Sequence, residues 1–288
     1  MKIEKLNAPR SVVGEGPLWD QTEQALFFVD LIGKKLLRFD PETGDSRLWE
    51  MPDVIGSLAL RAKGGALVAL KNGVHALDFD GGRIEPFALL PKLDPSVQFN
   101  DGKVDRRGRF IVGTMDTAMK DKIGALYSLS PDSALQPLDD GYCITNGPCW
   151  SPDNRVLYAA DTLPHEIYQY DYDPETGAAA NRRIFAKTHA LGGLPDGATV
   201  DADGLYWTAI CEGGAVAAFR PDGKLERKIE MPVKLPTSVM FGGPNLDRLF
   251  VTSLDPSVFG RPSAPEDGCL FVIDGLGARG LPEPRFAG

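Results

Sequence analysis

Residues 150–161 read WSPDNRVLYAAD, and this stretch sets the pattern for the rest of the chain. A polar turn segment at 151–154 separates Trp150 from a run of aliphatic and aromatic residues that ends at Asp161. Short apolar runs bounded by turn residues are typical of β-strands, and Pro-Asp favours a tight turn. The stretch therefore predicts a β-hairpin.

The same hairpin pattern occurs six times along the chain. Successive copies begin about 40–50 residues apart, at positions 18, 60, 104, 150, 200 and 241. A third strand pattern follows each hairpin, and shorter fourth strands follow in places, as at 46–50 and 182–186. Six units of about four antiparallel strands predict an all-β fold, a six-bladed β-propeller.

The pattern also bears on the limits of the fold. We find no amphipathic run of about 10–12 residues, so an alternating β/α sheet and a two-domain division are not expected. One β-propeller domain should span residues 1–288. The sixth unit lacks a clear fourth strand, and we expect residues 2–6 to supply it and close the ring, which would leave no sheet edge free.

Composition narrows the classes of function. The chain has 31 Lys and Arg against 40 Asp and Glu, a net charge of −9, which makes nucleic acid a poor partner. No run approaches the ~20 apolar residues of a transmembrane helix, and the N-terminal residues do not resemble a secretion signal. We therefore expect a cytoplasmic protein without a membrane partner, and the composition gives no sign of an obligate protein partner.

Cysteine and histidine usage argues against two further kinds of site. The four cysteines form no Cys-x-x-Cys pair and are too few for a disulfide scaffold, so we expect buried thiols. The three histidines are scattered, which disfavours a histidine-based zinc site. The four tryptophans lie in strand patterns, which predicts core packing.

Oxygen-bearing side chains stand at one offset in four of the six units. The first strand of a propeller blade lines the central channel, so equivalent positions should meet near one axis. Three to four residues before the hairpin starts lie Glu15, Asn100, Asn146 and Asp196, each beside glycine, proline or another turn residue. Any one of them could be a turn cap. If all four meet at one axis, the two carboxylates repel each other and the two amides lack hydrogen-bond partners unless a cation lies among them. A site made only of oxygen donors favours Ca²⁺, Mg²⁺ or Mn²⁺.

Several motifs, in order, resemble those of the SMP-30/gluconolactonase/regucalcin family. They are GEGPLW at 14–19, FNDGKVD at 99–105, GTM at 113–115, GALY at 124–127, TNGP at 145–148 and PDG at 195–197. The resemblance runs from about residue 11 to 275, and TNGPC at 145–149 is similar to the bacterial sugar-lactonase branch. The fold of that family is a six-bladed propeller, in agreement with the repeat.

The resemblance implies a metal site and a catalytic base. Glu15, Asn146 and Asp196 match the family's metal ligands, for one divalent cation, with Ca²⁺ ahead of Zn²⁺, Mn²⁺, Mg²⁺ and Fe²⁺. Asp196 also matches the family's general base.

A set of substrate-binding residues follows from the same resemblance. Asn100 matches a residue that faces the substrate, and Gln98 stands where the family often has arginine. The family has an acidic residue just after its Gly-Thr-Met motif, and Asp116 is the carboxylate of this chain that lies nearest to that position. We therefore expect Gln98, Asn100 and Asp116 to bind substrate, although Gln98 cannot offer the charged fork of an arginine.

The implied activity is the hydrolysis of sugar lactones, such as glucono-, xylono- or arabinonolactone, to aldonic acids. A non-catalytic calcium-binding propeller and a phosphoester or fluorophosphate hydrolase are alternatives. A peptide-binding propeller of the WD40 kind is disfavoured because its Gly-His and Trp-Asp signatures are missing. The chain has no Gly-x-Ser-x-Gly motif, which argues against a covalent serine mechanism.

Overall fold

The computed structural model describes residues 1–90, 93–132 and 135–288. Within these ranges the chain forms six four-stranded antiparallel sheets, and the predicted six-bladed β-propeller is confirmed. The only helices in the described ranges are two short 3₁₀ segments, His189–Leu191 and Pro256–Phe259. None of the helices in these ranges has the length and apolar character needed to cross a membrane.

In each of the first five blades, four strands that are consecutive in the chain lie side by side. The chain begins with β1 (Lys2–Lys5). Blade 1 then comprises β2 (Gly14–Asp20), β3 (Ala25–Asp30), β4 (Lys35–Phe39) and β5 (Ser46–Glu50). Blade 2 comprises β6 (Ile55–Leu60), β7 (Ala66–Leu70), β8 (Gly73–Leu77) and β9 (Ile84–Leu89). Blade 3 comprises β10 (Val97–Val104), β11 (Phe110–Asp116), β12 (Gly124–Leu129) and β13 (Leu135–Tyr142).

The second half of the chain continues the pattern. Blade 4 comprises β14 (Thr145–Trp150), β15 (Val156–Asp161), β16 (Glu166–Tyr172) and β17 (Ala179–Lys187). Blade 5 comprises β18 (Leu194–Val200), β19 (Tyr206–Cys211), β20 (Ala215–Phe219) and β21 (Leu225–Glu230). Blade 6 contains β22 (Pro236–Gly242), β23 (Arg248–Ser253) and β24 (Phe271–Asp274).

The N-terminal strand β1 is the outermost strand of blade 6. It pairs antiparallel with β24, from Lys2 opposite Asp274 to Lys5 opposite Phe271. The backbone N–H of Leu6 adds a hydrogen bond of 2.9 Å to the carbonyl of Leu270. The last blade therefore joins the two ends of the repeat in one sheet.

The hydrophobic core lies between neighbouring blades. Apolar side chains of blade 1, such as Phe27, pack with those of blade 2, such as Val68, and similar clusters fill the other blade interfaces. Burying one such side chain contributes about 1.5–3 kcal/mol. The four tryptophans are buried in the strands, as predicted, and the four cysteines are buried and free.

The innermost strand of every blade has a shift in register. The shifts fall between Glu15 and Leu18, Ile55 and Ser57, Phe99 and Gly102, Asn146 and Cys149, Pro195 and Ala198, and Pro236 and Ser238. Such bulges re-aim side chains and are common next to active sites. At one of them Gly147 has a φ of 56°, and a Cβ atom there would lie 2.7 Å from that of Ala198, so glycine allows blades 4 and 5 to approach.

The C-terminal segment 280–288 crosses the face of the ring at the far ends of the inner strands. Phe286 is completely buried, and its backbone N–H donates to the carbonyl of Leu60 at 2.8 Å. The N–H of Ala62 donates in turn to the carbonyl of Phe286, also at 2.8 Å. Arg285 forms an ion pair with Asp20, the last residue of β2. This face is opposite to the end of β2 that carries Glu15.

Candidate metal and substrate site

One end of the central channel opens into a cavity of about 580 Å³. The inner strands of four blades contribute Glu15, Asn100, Asn146 and Asp196, and all four side chains are buried and line the cavity. Gln98, two residues before Asn100 on β10, is half-buried and lines it as well. The structure thus brings five of the six sequence-predicted site residues to one cavity.

Two carboxyl groups lie together in this cavity. Glu15 and Asp196 interact electrostatically in this cavity, and burial raises the pKa of both well above their usual values. The charge of Asp196 raises the pKa of Glu15 further, and the carboxylate of Asp101 raises the pKa of both. Holding this pair ionised in a buried place is unfavourable unless a cation lies beside it.

One oxygen of this pair has no partner within the described chain. Asp196 Oδ1 is buried and accepts no hydrogen bond from the described residues. Buried polar atoms are nearly always hydrogen-bonded. A buried carboxylate oxygen that has no hydrogen-bond partner and lies near a second carboxylate is therefore suited to bind a cation. The described residues contain no group of three or more His, Cys, Asp or Glu side chains placed to hold a metal ion, so a cation at this pair would need a further donor of another type, and the amides of Asn100 and Asn146 line the same cavity.

The two asparagines are held by a chain of hydrogen bonds. Asn100 Nδ2 donates to Asn146 Oδ1 at 3.0 Å and to the carbonyl of Thr145 at 2.9 Å. Asn146 Nδ2 donates to Thr162 Oγ1 at 2.9 Å, and that hydroxyl donates to the carbonyl of Pro195 at 3.0 Å. The amide of Asn146 is thereby fixed with its nitrogen towards Thr162. Thr162 follows β15 and carries no sequence signal that would have identified it.

Asp101 is a third buried carboxylate at the centre of the ring. Its Oδ2 accepts from the backbone N–H of Gly147 at 2.8 Å, and its Oδ1 accepts from Gly102 at 2.7 Å. Burial raises its pKa, while the charge of Lys103 and the two N–H groups lower it. Lys103 Nζ donates to the carbonyl of Ala198 at 2.8 Å. Sequence reasoning assigned Asp101 no role, although its place between Asn100 and Gly102 in an inner strand was a usable signal.

Asp116 departs from the prediction. It is buried but does not line the cavity, where its neighbours Met115 and Thr117 lie. Its carboxylate accepts from three backbone N–H groups of the following turn, those of Ala118, Lys120 and Asp121. Asp30 and Asp161 also end the second strands of their blades, but their carboxylates accept from backbone N–H groups of the residues just before the inner strands, Val12 and Val13 or Cys143 and Ile144. Asp116 therefore stabilises a turn of the repeat, and its contacts do not support a role in substrate binding.

The fold and the site together define a class of protein. It is a six-bladed β-propeller with buried carboxylate and amide oxygens at one end of its channel. The sequence model of the SMP-30/Gluconolactonase/LRE-like region matches residues 13–255, and the chain belongs to this family.

Several known proteins are similar to the chain over nearly their whole length. Regucalcin of Xenopus laevis is 36% identical over 296 residues, which cover 100% of this chain and 99% of that protein. The 6-deoxy-6-sulfogluconolactonase of Pseudomonas putida is 36% identical over 282 residues, 96% of each chain. Among solved structures, a calcium-binding regucalcin from Agrobacterium tumefaciens is 25% identical with a TM-score of 0.91, covering 99% of this chain and 97% of that one.

Proposed function

We propose that this protein is a metal-dependent hydrolase that opens sugar lactones, such as glucono-, xylono- or arabinonolactone, to aldonic acids. The observation that carries the proposal is the convergence of Glu15, Asn146 and Asp196 from three blades on one cavity, with Asn100 beside them. The family includes gluconolactonases, and a relative of similar length is named as a lactonase of a sulfonated sugar.

Glu15, Asn146 and Asp196 would hold one divalent cation, with Ca²⁺ proposed first and Zn²⁺, Mn²⁺, Mg²⁺ or Fe²⁺ as alternatives. When bound, the ion supplies Lewis-acid polarisation of the lactone carbonyl and stabilises negative charge in the transition state. Asn100 binds the substrate beside this site, and Gln98 contacts it nearer to the mouth of the cavity. Neither of them brings a positive charge.

Asp196 serves as the general base of the proposed reaction. Its carboxylate takes a proton from the attacking water as the water oxygen bonds to the carbonyl carbon. The bond from that carbon to the ring oxygen then breaks, and the ring oxygen takes up a proton. The product is the open hydroxy acid, so the reaction consumes water and no other reactant.

Acid release from a panel of aldonolactones tests the proposal, with the protein either loaded with a divalent cation or treated with chelator. Asp196→Asn and Glu15→Gln should each lower kcat/KM of the loaded protein by about a hundredfold or more, since a general base alone contributes 10²–10⁴-fold. Asp203→Asn is the matched control, an exposed aspartate of the same blade. Full turnover by both site variants would contradict the proposal.

A non-catalytic calcium-binding protein is the second candidate, because the Agrobacterium tumefaciens relative is described as calcium-binding. It would use the same three oxygen donors. Calorimetric titration with Ca²⁺ separates the two functions: binding that Asp196→Asn removes, without turnover of any lactone by the unaltered protein, would favour the second candidate.

A further inference from the structure

One wall of the cavity is apolar. Among the clusters of packed apolar residues, one lies wholly in this wall rather than between blades, and its members all line the cavity: Val13, Leu194, Cys211, Leu235, Leu254 and Val258. They come from the ends of strands and from the loops of blades 1, 5 and 6. We call this set the apolar wall. It faces the same space as the buried carboxylates.

The rim of the cavity carries apolar side chains as well, beside the exposed ion pair of Arg261 and Glu212. Ile32, Met119 and Phe259 line the cavity and are 42%, 44% and 50% exposed. Large apolar side chains left in water at the mouth of a site are stabilised when a ligand with apolar surface covers them. Three such residues around one opening therefore indicate an occupant that is not polar throughout.

Hydrogen-bonding groups lie in a different part of the cavity. Gln98, Asn100 and Thr117 come from blade 3, and Asn146 and Thr162 from blade 4. Gln98 Nε2 has only a weak contact, 3.7 Å from Met115 Sδ, so it is free to bind a substrate hydroxyl. Apolar residues of blades 3 and 4, such as Met115 and Ile144, line the cavity as well. Among the described lining residues, however, the amides and hydroxyls come only from these two blades, so a ligand at the carboxylates meets them on that side and the apolar wall on the other.

The charges of the cavity do not favour an anion. Arg261 is the one cationic residue among the lining side chains of the described chain, and both of its terminal nitrogens bind the carboxylate of Glu212. The second of these contacts, Nη2 to Oε2, is 3.2 Å long. Glu15 and Asp196 carry the two negative charges that balance the proposed divalent cation, and Glu212 balances Arg261, so a sulfonate, phosphate or carboxylate on the substrate would meet no unpaired positive charge.

We propose that the site selects neutral lactones that carry an apolar substituent, such as the C6 methyl group of a 6-deoxy-aldonolactone, over their hydroxylated and anionic counterparts. This inference rests on the proposed lactonase function and specifies its substrate class. The ring hydroxyls bind on the side of blades 3 and 4, and the apolar substituent lies against the apolar wall.

Matched pairs of lactones test this inference. L-Rhamnono-1,4-lactone and L-mannono-1,4-lactone differ only by the oxygen at C6, and a third lactone with a C6 carboxylate tests the charge. An apolar pocket discriminates against an added hydroxyl by up to roughly a hundredfold. We expect kcat/KM to be about ten- to a hundredfold higher for the 6-deoxy compound than for its hydroxylated partner, and lowest for the anionic compound.

Two wall and rim variants connect this preference to the cavity. Val258→Ser and Phe259→Ser change side chains that are half-buried and exposed, in a short 3₁₀ helix, so the fold should tolerate them. Each should bring the ratio of the two kcat/KM values towards one. Leu225→Ser is the control, since Leu225 is exposed on the outer strand β21, and it should leave the ratio unchanged.

The outcomes separate this inference from the proposed function. Turnover of lactones with a ratio at or below one would overturn the apolar preference and leave the lactonase function standing. A high ratio that neither Val258→Ser nor Phe259→Ser reduces would also overturn it, because the preference would then arise elsewhere. Failure of the loaded protein to hydrolyse any lactone would overturn both.

Discussion

The carboxylate of Asp101 accepts a 2.8 Å hydrogen bond from the backbone N–H of Gly147, the residue that follows Asn146. This contact ties the inner strand of blade 3 to that of blade 4 at the position where the amide of Asn146 enters the cavity. Asn146 is a ligand in the proposed metal site, and a group that is hydrogen-bonded next to a metal ligand fixes the orientation of that ligand. Asp101 therefore positions Asn146 without lining the cavity itself.

We expect Asp101→Ala to weaken binding of a divalent cation by about 10- to 100-fold, the usual cost of losing a group that orients a metal ligand. The unpartnered N–H of Gly147 should also lower the free energy of unfolding by about 1–3 kcal/mol. Calorimetric titration with Ca²⁺ and urea unfolding measure the two effects. Asp101→Asn keeps an acceptor oxygen and should bind the ion more tightly than Asp101→Ala; unaltered binding by Asp101→Ala would refute the role.

Stability should depend on pH in a way that the cation removes. Because burial raises the pKa of Glu15 and Asp196, the folded protein holds their protons more firmly than the unfolded chain does. The contribution of this pair to the stability of the metal-free protein should therefore be greatest below the unfolded values, about pH 4, and should be lost as the pH rises through the raised values.

The midpoint of thermal unfolding, Tm, tests this dependence with and without Ca²⁺. Binding to the folded state adds about 2.7 kcal/mol when the free ion is at 100 times its Kd, and binding tightens as the carboxyls ionise. The increase in Tm caused by Ca²⁺ should thus be larger at pH 8 than at pH 5. In a Glu15→Gln, Asp196→Asn double variant the increase should disappear; an equal increase at both pH values in the unaltered protein would contradict the prediction.

Gln98→Arg should change the charge preference of the site. Gln98 lines the cavity and has no strong partner, so an arginine there adds a cation that is free to bind an anionic group. A charge-assisted hydrogen bond contributes about 1.5–3 kcal/mol. We expect kcat/KM for a lactone with a C6 carboxylate to rise at least about tenfold relative to its neutral counterpart, with Gln136→Arg on the exposed face of β13 as a control that leaves the ratio unchanged.

The repeat explains why so much of this structure could be predicted from the sequence. Each hairpin is a local pattern, so six copies indicate six blades without any knowledge of long-range contacts. Equivalent positions in a ring share one axis, which is why Glu15, Asn100, Asn146 and Asp196 could be expected to meet although up to 181 residues separate them. The exposed outer strands were harder to delimit: β17 covers Ala179–Lys187, while the pattern suggested only 182–186.

Other features of the site have no local pattern. The residues of the apolar wall come from strand ends and loops that are far apart in the sequence. No pattern within any one of these segments predicts that their side chains pack together. Asp116 was predicted from its place after Gly-Thr-Met, but it also ends the second strand of its blade, and there its carboxylate accepts from the backbone of the following turn, a contact that no local pattern indicates. The C-terminal segment lies outside the repeat, so the burial of Phe286 could not be predicted.

Phe286 should be a large contributor to stability at the face opposite the cavity. Its ring is completely buried and packs edge-on against Phe87, with 5.7 Å between the ring centroids. Phe286→Ala should lower the free energy of unfolding by about 3–5 kcal/mol because it leaves a cavity in the core. Urea unfolding measures this loss, and Phe259→Ala, at a half-exposed phenylalanine, should cost far less. A similar cost for both variants would show that the C-terminal segment is not held by this ring.

Removal of residues 1–8 should open the ring at blade 6. The deletion takes away β1 and leaves β24 as a bare edge, which can pair with other chains. It also removes Ile3 and Leu6, which pack against two of the core clusters. Since about 1 kcal/mol shifts Tm by 2–4 °C in large domains, we expect Tm to fall by at least about 5 °C and aggregation to increase. Lys2→Ala, which breaks only a surface ion pair with Glu4, is the control and should move Tm little; an unchanged Tm after the deletion would show that blade 6 does not depend on its N-terminal strand.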